Sequence, residues 1–463
     1  MLESETTVLT KSGYDIRYGI TNIVIQEIAD AYLGDSRPWI VGFSGGKDST
    51  ALLQLIYYSV VRLPPTSRKK HIYVISTDTR VETPHISARI KKELEAISIS
   101  AERDWLPLST HLLFPKLNDT FWVNLIGRGY PSPNTRFRWC TDRLKIHPVS
   151  DFIRQVVDKS GAVIVVLGAR KDESATRAQS MARNQIPGNR FRPHADLPKA
   201  YVYTPIDDLT TNEVWTYLLN VPSPWNGDNS ALVALYKQAS GGECPLVIDQ
   251  STPSCGHSRF GCWTCTVVEK DKSLESLAFS GEDQLLPLLE LRDYLREIRS
   301  KPASRYDVRR NGTKAIRRGT NEIMSNTGPF THQTRMDILK RLLEAQKKSG
   351  IILIEGDELA LIQEIWTKEE NGHPGKPLLP IDVISHIWKH VFEEESMPDN
   401  HQKYDNLNKE DQLLLRVCER HDVPFEMMRQ LRDIEEEYGQ LKRRHGLPDQ
   451  MRETIQKFVK EEV

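Results

Sequence analysis

One stretch of the chain has the residue types of a phosphate-binding loop: Ser44-Gly45-Gly46-Lys47-Asp48-Ser49. The two glycines allow the backbone to approach an anion closely, and Lys47 and Ser49 add hydrogen-bond donors. An apolar run precedes the loop and helix-like apolar spacing follows it, which predicts a strand, a turn and a helix. A helix that begins at such a turn directs its free N–H groups at the anion. The stretch therefore predicts a nucleotide-phosphate site, in which Lys47 neutralises charge and Asp48 helps to hold Mg²⁺.

The spacing of this loop excludes a Walker A motif. That motif needs four residues between its first glycine and its Gly-Lys pair and a Ser or Thr after the lysine, whereas Asp48 follows Lys47 here. The string instead resembles the PP-loop of the ATP pyrophosphatases, which split ATP between its α and β phosphates or bind adenylylated sulfur compounds. The structural alternative is an ordinary glycine turn at the start of a helix.

Cysteines give the second chemical signal. The chain has six cysteines, and four of them lie close together, at Cys244, Cys255, Cys262 and Cys265. In a chain read as cytosolic, such clustering indicates metal or redox chemistry rather than disulfides. The C-x-x-C spacing lets two thiolates bind one metal centre, and four cysteines suit either zinc or a [4Fe–4S] cluster. Cys418 is predicted to be structural.

Cys140 lies between aromatic and basic residues, in the segment 137–148. Neighbouring cations lower the pKa of a thiol and favour the thiolate, which is the form that binds a metal or attacks sulfur. Cys140 is therefore a candidate metal ligand and a candidate catalytic thiol. A buried structural cysteine is the common alternative.

Charged residues follow two further apolar runs. Asp78 and Glu82 follow the first of them, and carboxylates at a strand end can bind Mg²⁺, ribose hydroxyls or a cationic group. An acidic turn is the equal alternative. Arg170 and Arg177 follow the second run, and guanidinium groups bind phosphate oxygens through paired hydrogen bonds. For these two residues an ordinary charged surface is the alternative.

The elements that must position these residues alternate between helices and strands. A helix is predicted over 15–33 and from Pro84 to about Ile97, and strands are predicted at 39–43, 71–77 and 161–167. Continuous apolar runs suit parallel strands that are covered on both faces. Residues 1–220 are therefore predicted to form a doubly wound, mostly parallel α/β sheet, which binds its ligands at the carboxyl ends of the strands.

The chain changes character after residue 220. Residues 221–275 form a cysteine-rich segment with little periodicity, and residues 276–463 are predicted to be mainly helical. The helix-like segments are 284–299, 334–349, 355–370, 379–396, 407–420 and 424–445, with a loop predicted over 301–333. Pro287 fits the first turn of the first of these helices.

The charge distribution and the hydropathy of the chain indicate its partners and its location. The net charge is −1, but residues 291–350 carry fifteen Lys and Arg against six Asp and Glu. Such an excess predicts a DNA-facing surface, with a solvated loop or an acidic partner as the alternative. The basic side chains around Asn311-Gly312 are Arg305, Arg309, Arg310, Lys314, Arg317 and Arg318. No apolar run of about 18 residues occurs and the first residues lack a signal-peptide pattern, so a cytoplasmic protein is expected.

Taken together, the motifs resemble the phosphoadenosine phosphosulfate reductase family over roughly residues 35–270. The matching elements are Ser44–Ser49, Asp78-Thr79 with Glu82-Thr83, Arg138-x-Cys140 with Lys145-x-x-Pro148, Gly168-x-Arg170-x-x-Glu173-Ser174-x-x-Arg177, and Pro205-Ile206-x-Asp208. The resemblance implies that Ser44–Ser49 bind ATP phosphates, with Asp78 at the same site, and that Arg170 and Arg177 line it.

The same resemblance favours an iron–sulfur cluster, because cluster-bearing members use cysteines at the place of Cys140 and at a later C-x-x-C. Those members carry two adjacent cysteines at the position of Cys140, whereas here Cys140 is followed by Thr141. The implied ligands are therefore Cys140, Cys262 and Cys265, with Cys255 as the fourth and Cys244 as its alternate. A rival set of the four later cysteines would leave Cys140 as a sulfur-carrying thiol.

Residues 242–271 resemble, more specifically, the DNA phosphorothioation sulfurtransferases of bacteria. This resemblance implies an ATP pyrophosphatase with a [4Fe–4S] cluster that helps to replace a non-bridging oxygen of a DNA phosphate by sulfur. It also implies three partners, namely DNA, a cysteine desulfurase as sulfur donor, and other DNA phosphorothioation proteins. A sulfonucleotide reductase, a tRNA thiolase and a non-enzymatic iron–sulfur regulatory or assembly protein remain the alternatives.

Overall fold

The structure of the protein is a computed structural model. It describes residues 19–173, 189–239, 261–279, 281–310, 312–316, 323–324, 327–371, 383–392 and 423–439, with isolated residues at 179 and between 411 and 456. The chain divides into two compact units, Met1–Met397 and Pro398–Val463. The predictions for Arg177, Cys244, Cys255, Arg317 and Arg318 lie outside the described residues, as does most of the helix predicted over 407–420. The domain boundaries at 220 and 275 stay a prediction.

The first unit is built on a six-stranded sheet in the order β3-β2-β1-β4-β6-β5. Its strands are β1 Trp39–Gly42, β2 Ile72–Thr77, β3 Leu108–Leu113, β4 Val163–Val166, β5 Arg192–Pro193 and β6 Ala200–Tyr203. Trp39 of β1 pairs in parallel register with Ile72 of β2 and with Ile164 of β4. Only the short edge strand β5 runs antiparallel within this sheet. The prediction of a doubly wound, mostly parallel α/β sheet is confirmed.

Helices cover both faces of the sheet and continue beyond it. The first unit contains α1 Gly19–Leu33, α2 Lys47–Val61, α3 Pro84–Arg103, α4 His147–Ser160, α5 Thr211–Asn220, α6 Asn229–Ala239, α7 Lys272–Phe279, α8 Leu286–Ile298, α9 His332–Ser349, α10 Gly356–Asn371 and α11 Val383–Phe392. The second unit contains α12 Phe425–Gly439. Two π-helical turns, Val123–Gly127 and Asp142–Ile146, interrupt the connection between β3 and α4.

The apolar side chains of the central strand explain why the sheet is covered twice. Trp39 and Val41 of β1 are buried among residues of α1, α2 and α3. Ile40 points the other way and is buried with Ile153 and Val156 of α4. Successive residues of a strand face opposite sides, so a continuous apolar run needs a helical layer on each side.

A second core connects the sheet domain to the helices that follow it. It contains Trp122, Trp139 and Leu144 from the connection between β3 and α4. These residues pack with Trp263 and with the buried faces of helices α8 to α11. The chain near Cys140 is therefore covered by residues that lie more than a hundred positions away in the sequence.

Several elements were not predicted from the sequence, among them strand β3, helix α6 and a short hairpin. Strand β3 was not predicted, because all six of its residues are only half-buried at an edge and show no continuous apolar run. Helix α6 lies in a segment predicted to lack periodicity, and it buries Leu232 and Tyr236, which are one helical turn apart. The short hairpin Ala315–Ile316 with Ile323–Met324, β7 and β8, lies where only a loop was predicted. Among the described residues, no helix is long and apolar enough to cross a membrane.

Candidate active site at the carboxyl edge of the sheet

The predicted phosphate loop connects β1 to α2. Gly45 has a φ of +69°, which a glycine adopts without strain, and Gly46 is the residue that precedes the first turn of α2. No side chain caps this helix at Gly46. The first turn of α2 therefore offers the geometry in which backbone N–H groups and the helix dipole attract an anion.

Hydrogen bonds within the loop hold its shape. The Ser49 hydroxyl donates to the Gly46 carbonyl oxygen at 3.0 Å and accepts from the Ser44 N–H at 3.2 Å. The Ser44 and Ser49 hydroxyl oxygens lie 3.1 Å apart. The two serines at the ends of the motif thus close the loop through local hydrogen bonds.

Gly168, which follows β4, is required by close packing rather than by its backbone angles. A Cβ atom at this position would lie 2.9 Å from the Asp48 carbonyl oxygen and 3.2 Å from the Ser49 nitrogen. Both of these atoms belong to the backbone of the first turn of α2, which cannot move aside cheaply. The absence of a side chain at Gly168 therefore lets the end of β4 support the phosphate loop.

Arg170 supports the phosphate loop through an ion pair with Asp48. Its guanidinium group is 1% exposed, and its Nε donates to Asp48 Oδ1 at 2.6 Å. The remaining nitrogens donate to the Leu209 carbonyl oxygen and to the Thr211 hydroxyl. Lys47 Nζ lies 2.9 Å from Asp48 Oδ2, so two cations share one carboxylate. The direct contact of Arg170 with a bound anion stays a prediction, whereas its contact with Asp48 is observed.

Tyr236 of α6 completes the loop and was missed by sequence reasoning. Its hydroxyl oxygen accepts a hydrogen bond from the Lys47 N–H at 3.3 Å, and its ring centroid lies 5.6 Å from Lys47 Nζ. Burial raises the pKa of Tyr236 to about 12, so the phenol remains neutral. The helical spacing of Leu232 and Tyr236 was the only signal in the sequence that could have indicated this contact.

Asp78 shapes the turn that follows β2. Its carboxylate accepts from the Arg80 N–H at 2.9 Å and from the Ser87 hydroxyl at 2.8 Å. Arg80 has a φ of +61°, and the bond from Asp78 stabilises this uncommon conformation. These contacts are those of an acidic turn, and the role of Asp78 in ATP binding stays a prediction.

The C-x-x-C segment is bound to this same turn. Cys262 pairs with Glu82 in an isolated β-bridge, and the Trp263 N–H donates to the Val81 carbonyl oxygen at 3.0 Å. The Cys262 sulfur lies 3.2 Å from the Thr79 hydroxyl oxygen. We call Cys140, Cys262 and Cys265, with Thr79 and Glu82, the cysteine site.

Burial and neighbouring groups shift the pKa values of the thiols in the cysteine site. Burial raises the pKa of Cys262, and the Glu82 carboxylate raises it further. Burial raises the pKa of Cys140, and the sulfur of Cys265 adds to this effect. The expectation that neighbouring cations lower the pKa of Cys140 is therefore wrong, because the effect of burial dominates. Lys145 Nζ lies 3.6 Å from Glu82 Oε1, and its pKa is raised, first by the Cys262 sulfur. A cation is thus already present where negative charge would develop.

The cysteine site contains the donor type that an iron–sulfur cluster takes, because such clusters are held by cysteine thiolates. Cys140, Cys262 and Cys265 would be three of the ligands. In the part of the chain that the structure describes, no group of three His, Cys, Asp or Glu side chains is arranged to hold a metal ion. Both candidates for the fourth ligand lie outside that part.

Arg292 of α8 supports the cysteine site and was not recognised in the sequence. Its guanidinium group is fully buried and donates to the carbonyl oxygens of Cys265, Val268 and Glu269, at 3.1, 2.6 and 3.0 Å. Five N–H donors in a rigid plane suit this cluster of carbonyl groups. Arg292 therefore holds the chain in the turn that follows Cys265.

Helix α3 links the phosphate loop to the cysteine site. Arg89 Nη1 donates to the Gly45 carbonyl oxygen at 3.3 Å, and the Ile90 side chain lies 3.3 Å from the position of a Cβ at Gly45. The same helix supplies Ser87 to the turn that carries Thr79. The two sites therefore share the β2–α3 connection at the carboxyl edge of the sheet.

Comparison with curated proteins gives one distant relative. The chain is 25% identical over 268 residues to an uncharacterized protein of Methanocaldococcus jannaschii. The match covers 58% of this chain but spans only 44% of the length of that relative.

Among solved structures, the chain is similar to a phosphoadenylyl-sulfate reductase from Candida auris in complex with phosphate. The identity is 13% and the TM-score is 0.30, and the match covers 45% of this chain and 84% of that chain. It is also similar to the U34-tRNA thiolase NcsA from Methanococcus maripaludis with its [4Fe–4S] cluster, at 13% identity and a TM-score of 0.29, with 63% and 84% covered. At TM-scores this low, the likeness carries no inference about function.

The family comparison is more specific. Residues 38–268 match the model of the phosphoadenosine phosphosulfate reductase domain. The matched range begins just before β1 and ends just after the C-x-x-C segment, so it contains the phosphate loop, Arg170 and the cysteine site. Residues 38–268 of this chain therefore form a domain of the phosphoadenosine phosphosulfate reductase family, in the PP-loop superfamily.

Proposed function

We propose that this protein is an ATP pyrophosphatase and sulfurtransferase that activates a DNA backbone phosphate and helps to replace one of its non-bridging oxygens by sulfur. One observation carries the proposal: a phosphate loop and a cysteine site lie on adjacent strand ends and share the β2–α3 connection. Ligands of open α/β sheets bind at this edge. A nucleotide and a sulfur carrier bound there would face the same substrate atom.

In the first step, ATP binds with its phosphates at Ser44–Ser49. An oxygen of the DNA phosphate attacks the α-phosphorus of ATP, an O–P bond forms, and the bond to the β-phosphate breaks with release of pyrophosphate. Lys47 neutralises charge on the phosphates, and Asp48 supports Mg²⁺ through Oδ2, the oxygen that is now paired with Lys47. The product is an adenylylated DNA phosphate.

In the second step, sulfur displaces AMP from the DNA phosphorus. AMP leaves far more readily than oxide, which is the reason for the first step. A cysteine desulfurase supplies the sulfur as a persulfide, and a thiol reductant supplies the two electrons that bring it to the level of sulfide. Cys140 is the candidate thiol for the transfer if the four later cysteines hold the cluster; if Cys140 is itself a ligand, the sulfur is carried by the cluster. Other phosphorothioation proteins would present the DNA.

A [4Fe–4S] cluster is the cofactor proposed for the cysteine site. Cys140, Cys262 and Cys265 would hold it together with Cys255, or with Cys244 in its place. Such a cluster would supply electron transfer or sulfur binding to the reaction. Iron and acid-labile sulfide, measured in anaerobically purified protein, should be present in equal amounts. Bound zinc without sulfide would contradict this assignment.

The decisive experiment follows the phosphates of labelled ATP in the presence of DNA, the cysteine desulfurase and a reductant. Pyrophosphate should be released, and Lys47→Ala should abolish its release because the α,β-cleavage loses its main cation. Lys171→Ala, which removes an exposed ion pair with Asp208, is the matched control and should leave the rate unchanged. Release of orthophosphate alone would refute the cleavage step.

The substrate is tested separately from the cleavage. Sulfur from labelled cysteine should enter DNA and not tRNA when both are offered together. Transfer to tRNA would favour a thiolase, and release of sulfite from an adenylylated sulfate would favour a reductase. No ATP turnover with every partner present would favour a regulatory protein.

A further inference from the structure

A cleft lies beside the part of the chain that precedes Cys140. Its volume is about 730 Å³. We call it the aromatic cleft and define it by its most important lining residues: Tyr130, Phe137, Arg143, Arg305, Arg309 and Arg310. Trp139, which precedes Cys140, forms part of its wall. Nothing in the ATP-cleaving reaction described above uses these residues.

Aromatic rings form the apolar side of the cleft. The Tyr130 and Phe137 ring centroids lie 6.5 Å apart, and Phe137 is 43% exposed. Trp139 meets the Tyr130 ring edge to face at 5.4 Å and is itself buried. The half-exposed Phe137 ring is therefore accessible to a ligand beside the Tyr130 ring.

The local backbone is built to present Phe137. The Asn134 side-chain oxygen accepts hydrogen bonds from the N–H groups of Arg136 and Phe137, at 2.8 and 3.0 Å, in a tight turn. Behind this turn, the Thr266 hydroxyl donates to the Pro133 carbonyl oxygen at 2.7 Å. Thr266 follows Cys265 directly, so the cleft wall and the cysteine site are joined by this bond.

Four arginines also line the cleft, namely Arg143, Arg305, Arg309 and Arg310. The guanidinium carbons of Arg143 and Arg310 lie 5.4 and 5.9 Å from the Tyr130 ring centroid. Arg310 also donates to the Arg128 carbonyl oxygen, and Arg305 donates to the Gly328 carbonyl oxygen. Arg309 is exposed.

The charge balance of the cleft is positive. Arg143 is paired with Asp119, and the nearest carboxylate to Arg310 is Glu369 at 4.0 Å, which also binds Arg335. Asp142 is the one carboxylate among the described lining residues. Burial lowers the pKa of Arg305, whose Nε donates to the Gly328 carbonyl oxygen. An anion that entered the cleft would relieve this excess.

We propose that the aromatic cleft binds a single-stranded or extruded segment of DNA, with one base against Phe137 and Tyr130 and the adjoining phosphates on Arg305, Arg309 and Arg310. The identity of the polymer as DNA rests on the proposed function, whereas the pairing of rings with arginines comes from the geometry. Bases stack on aromatic side chains and guanidinium groups neutralise phosphates, and this combination is typical of sites for unpaired strands. The bond between Thr266 and Pro133 would hold the bound strand beside the cysteine site.

The test measures binding of a fluorescein-labelled DNA 12-mer to the intact protein by fluorescence anisotropy. Phe137→Ala should weaken binding about tenfold, in line with about 1–3 kcal/mol for one stacked base. Phe137→Trp should preserve binding. An abasic 12-mer of the same length should bind the wild type and Phe137→Ala equally, because no base remains to stack.

Arg309→Gln tests the phosphate contacts. It should lower the slope of log K against log salt by about 0.7, the value for one phosphate of a single strand. Phe279→Ala and Arg154→Gln, both at exposed positions, are the matched controls and should change neither affinity nor slope.

Several results would overturn the inference. Equal binding of abasic and base-bearing strands to the wild type, an unchanged affinity in Phe137→Ala, or full displacement of the strand by polyglutamate would each do so. If DNA-dependent pyrophosphate release then persists, the proposed function survives without the cleft. Tenfold tighter binding of an RNA 12-mer would overturn the assignment to DNA and the proposed function with it.

Discussion

Two buried arginines support the two halves of the candidate active site in different ways. Arg170 acts beneath the phosphate loop through a side chain, because its strongest contact is the Asp48 carboxylate at 2.6 Å. Arg292 acts beneath the cysteine site through the backbone, because it binds three carbonyl oxygens between Cys265 and Glu269. The first arrangement is a shared ion pair within a rigid sheet domain. The second holds an irregular turn, to which Thr266 and Arg299 contribute further hydrogen bonds.

This difference suggests that the two sites can be damaged independently. Local hydrogen bonds between Ser44, Gly46 and Ser49 shape the phosphate loop. Arg170, Tyr236 and Gly168 support it from other elements of the sheet domain. The cysteine site is assembled from segments about 180 residues apart, such as Thr79 and Cys262. Matched substitutions of the two arginines therefore provide a direct test of the comparison.

Arg170→Met should have the largest effect. It removes one partner of a buried ion pair and leaves Asp48 without its main cation, which costs about 3–5 kcal/mol. We expect ATP affinity, measured by isothermal titration calorimetry, to be lost, together with a lower Tm. The iron content per chain should stay at the wild-type value. Loss of iron in parallel with ATP binding would show that the two sites are not separable.

Arg292→Met should produce the opposite pattern. Three buried carbonyl groups lose a charged donor, which costs about 3 kcal/mol, and the turn after Cys265 loses its support. The bound iron and sulfide should fall to a small fraction of the wild-type value. ATP affinity should remain within about twofold. A variant that keeps its iron would contradict the role of Arg292.

Glu358→Gln should remove a pH dependence of the stability of the fold beside the turn after β2. Glu358 is buried near the start of α10, next to Asp357, which pairs with Arg80 of the turn after β2. Burial raises the pKa of Glu358 from 4.5 to about 7. The folded state therefore binds a proton that the unfolded state releases above pH 4.5, and wild-type stability should fall as pH rises from about 4.5 to 7.

Glutamine imitates the protonated carboxyl group, so this loss should be absent in the variant. We expect Glu358→Gln to match the wild type at pH 4.5 and to exceed it by about 2–3 kcal/mol at pH 8, in urea denaturation. A constant difference between the two proteins at both pH values would show that Glu358 does not titrate in this range. Glu355→Gln, on the preceding turn, is the control.

Tyr236→Phe should have the smallest effect. The phenol oxygen is one acceptor for the Lys47 N–H, and its loss costs about 1 kcal/mol. We expect ATP to bind about fivefold more weakly, with the iron content unchanged. An unchanged affinity would show that the bound nucleotide replaces the contact with Tyr236.

Much of the fold could be predicted because its signals are local. The apolar runs of β1, β2 and β4 and the glycines between β1 and α2 each depend on neighbouring residues. The helix predicted over 284–299 spans Leu286–Ile298, with Pro287 in its first turn as predicted. Strand β3 and helix α6 were missed because their apolar patterns are short or broken, and packing rather than pattern stabilises them.

The same distinction between local signals and long-range packing applies to the candidate site. By itself, the sequence determined that a strand, a glycine turn and a helix follow one another on a parallel sheet, since these elements are set by adjacent residues. It also supplied the cysteines, but it did not show that Cys262 lies against Thr79 or that Arg170 faces Asp48. Only the tertiary structure decided those contacts, and it alone revealed Arg292 and the aromatic cleft. The physical reason is that such contacts depend on how distant segments are brought together by the two hydrophobic cores.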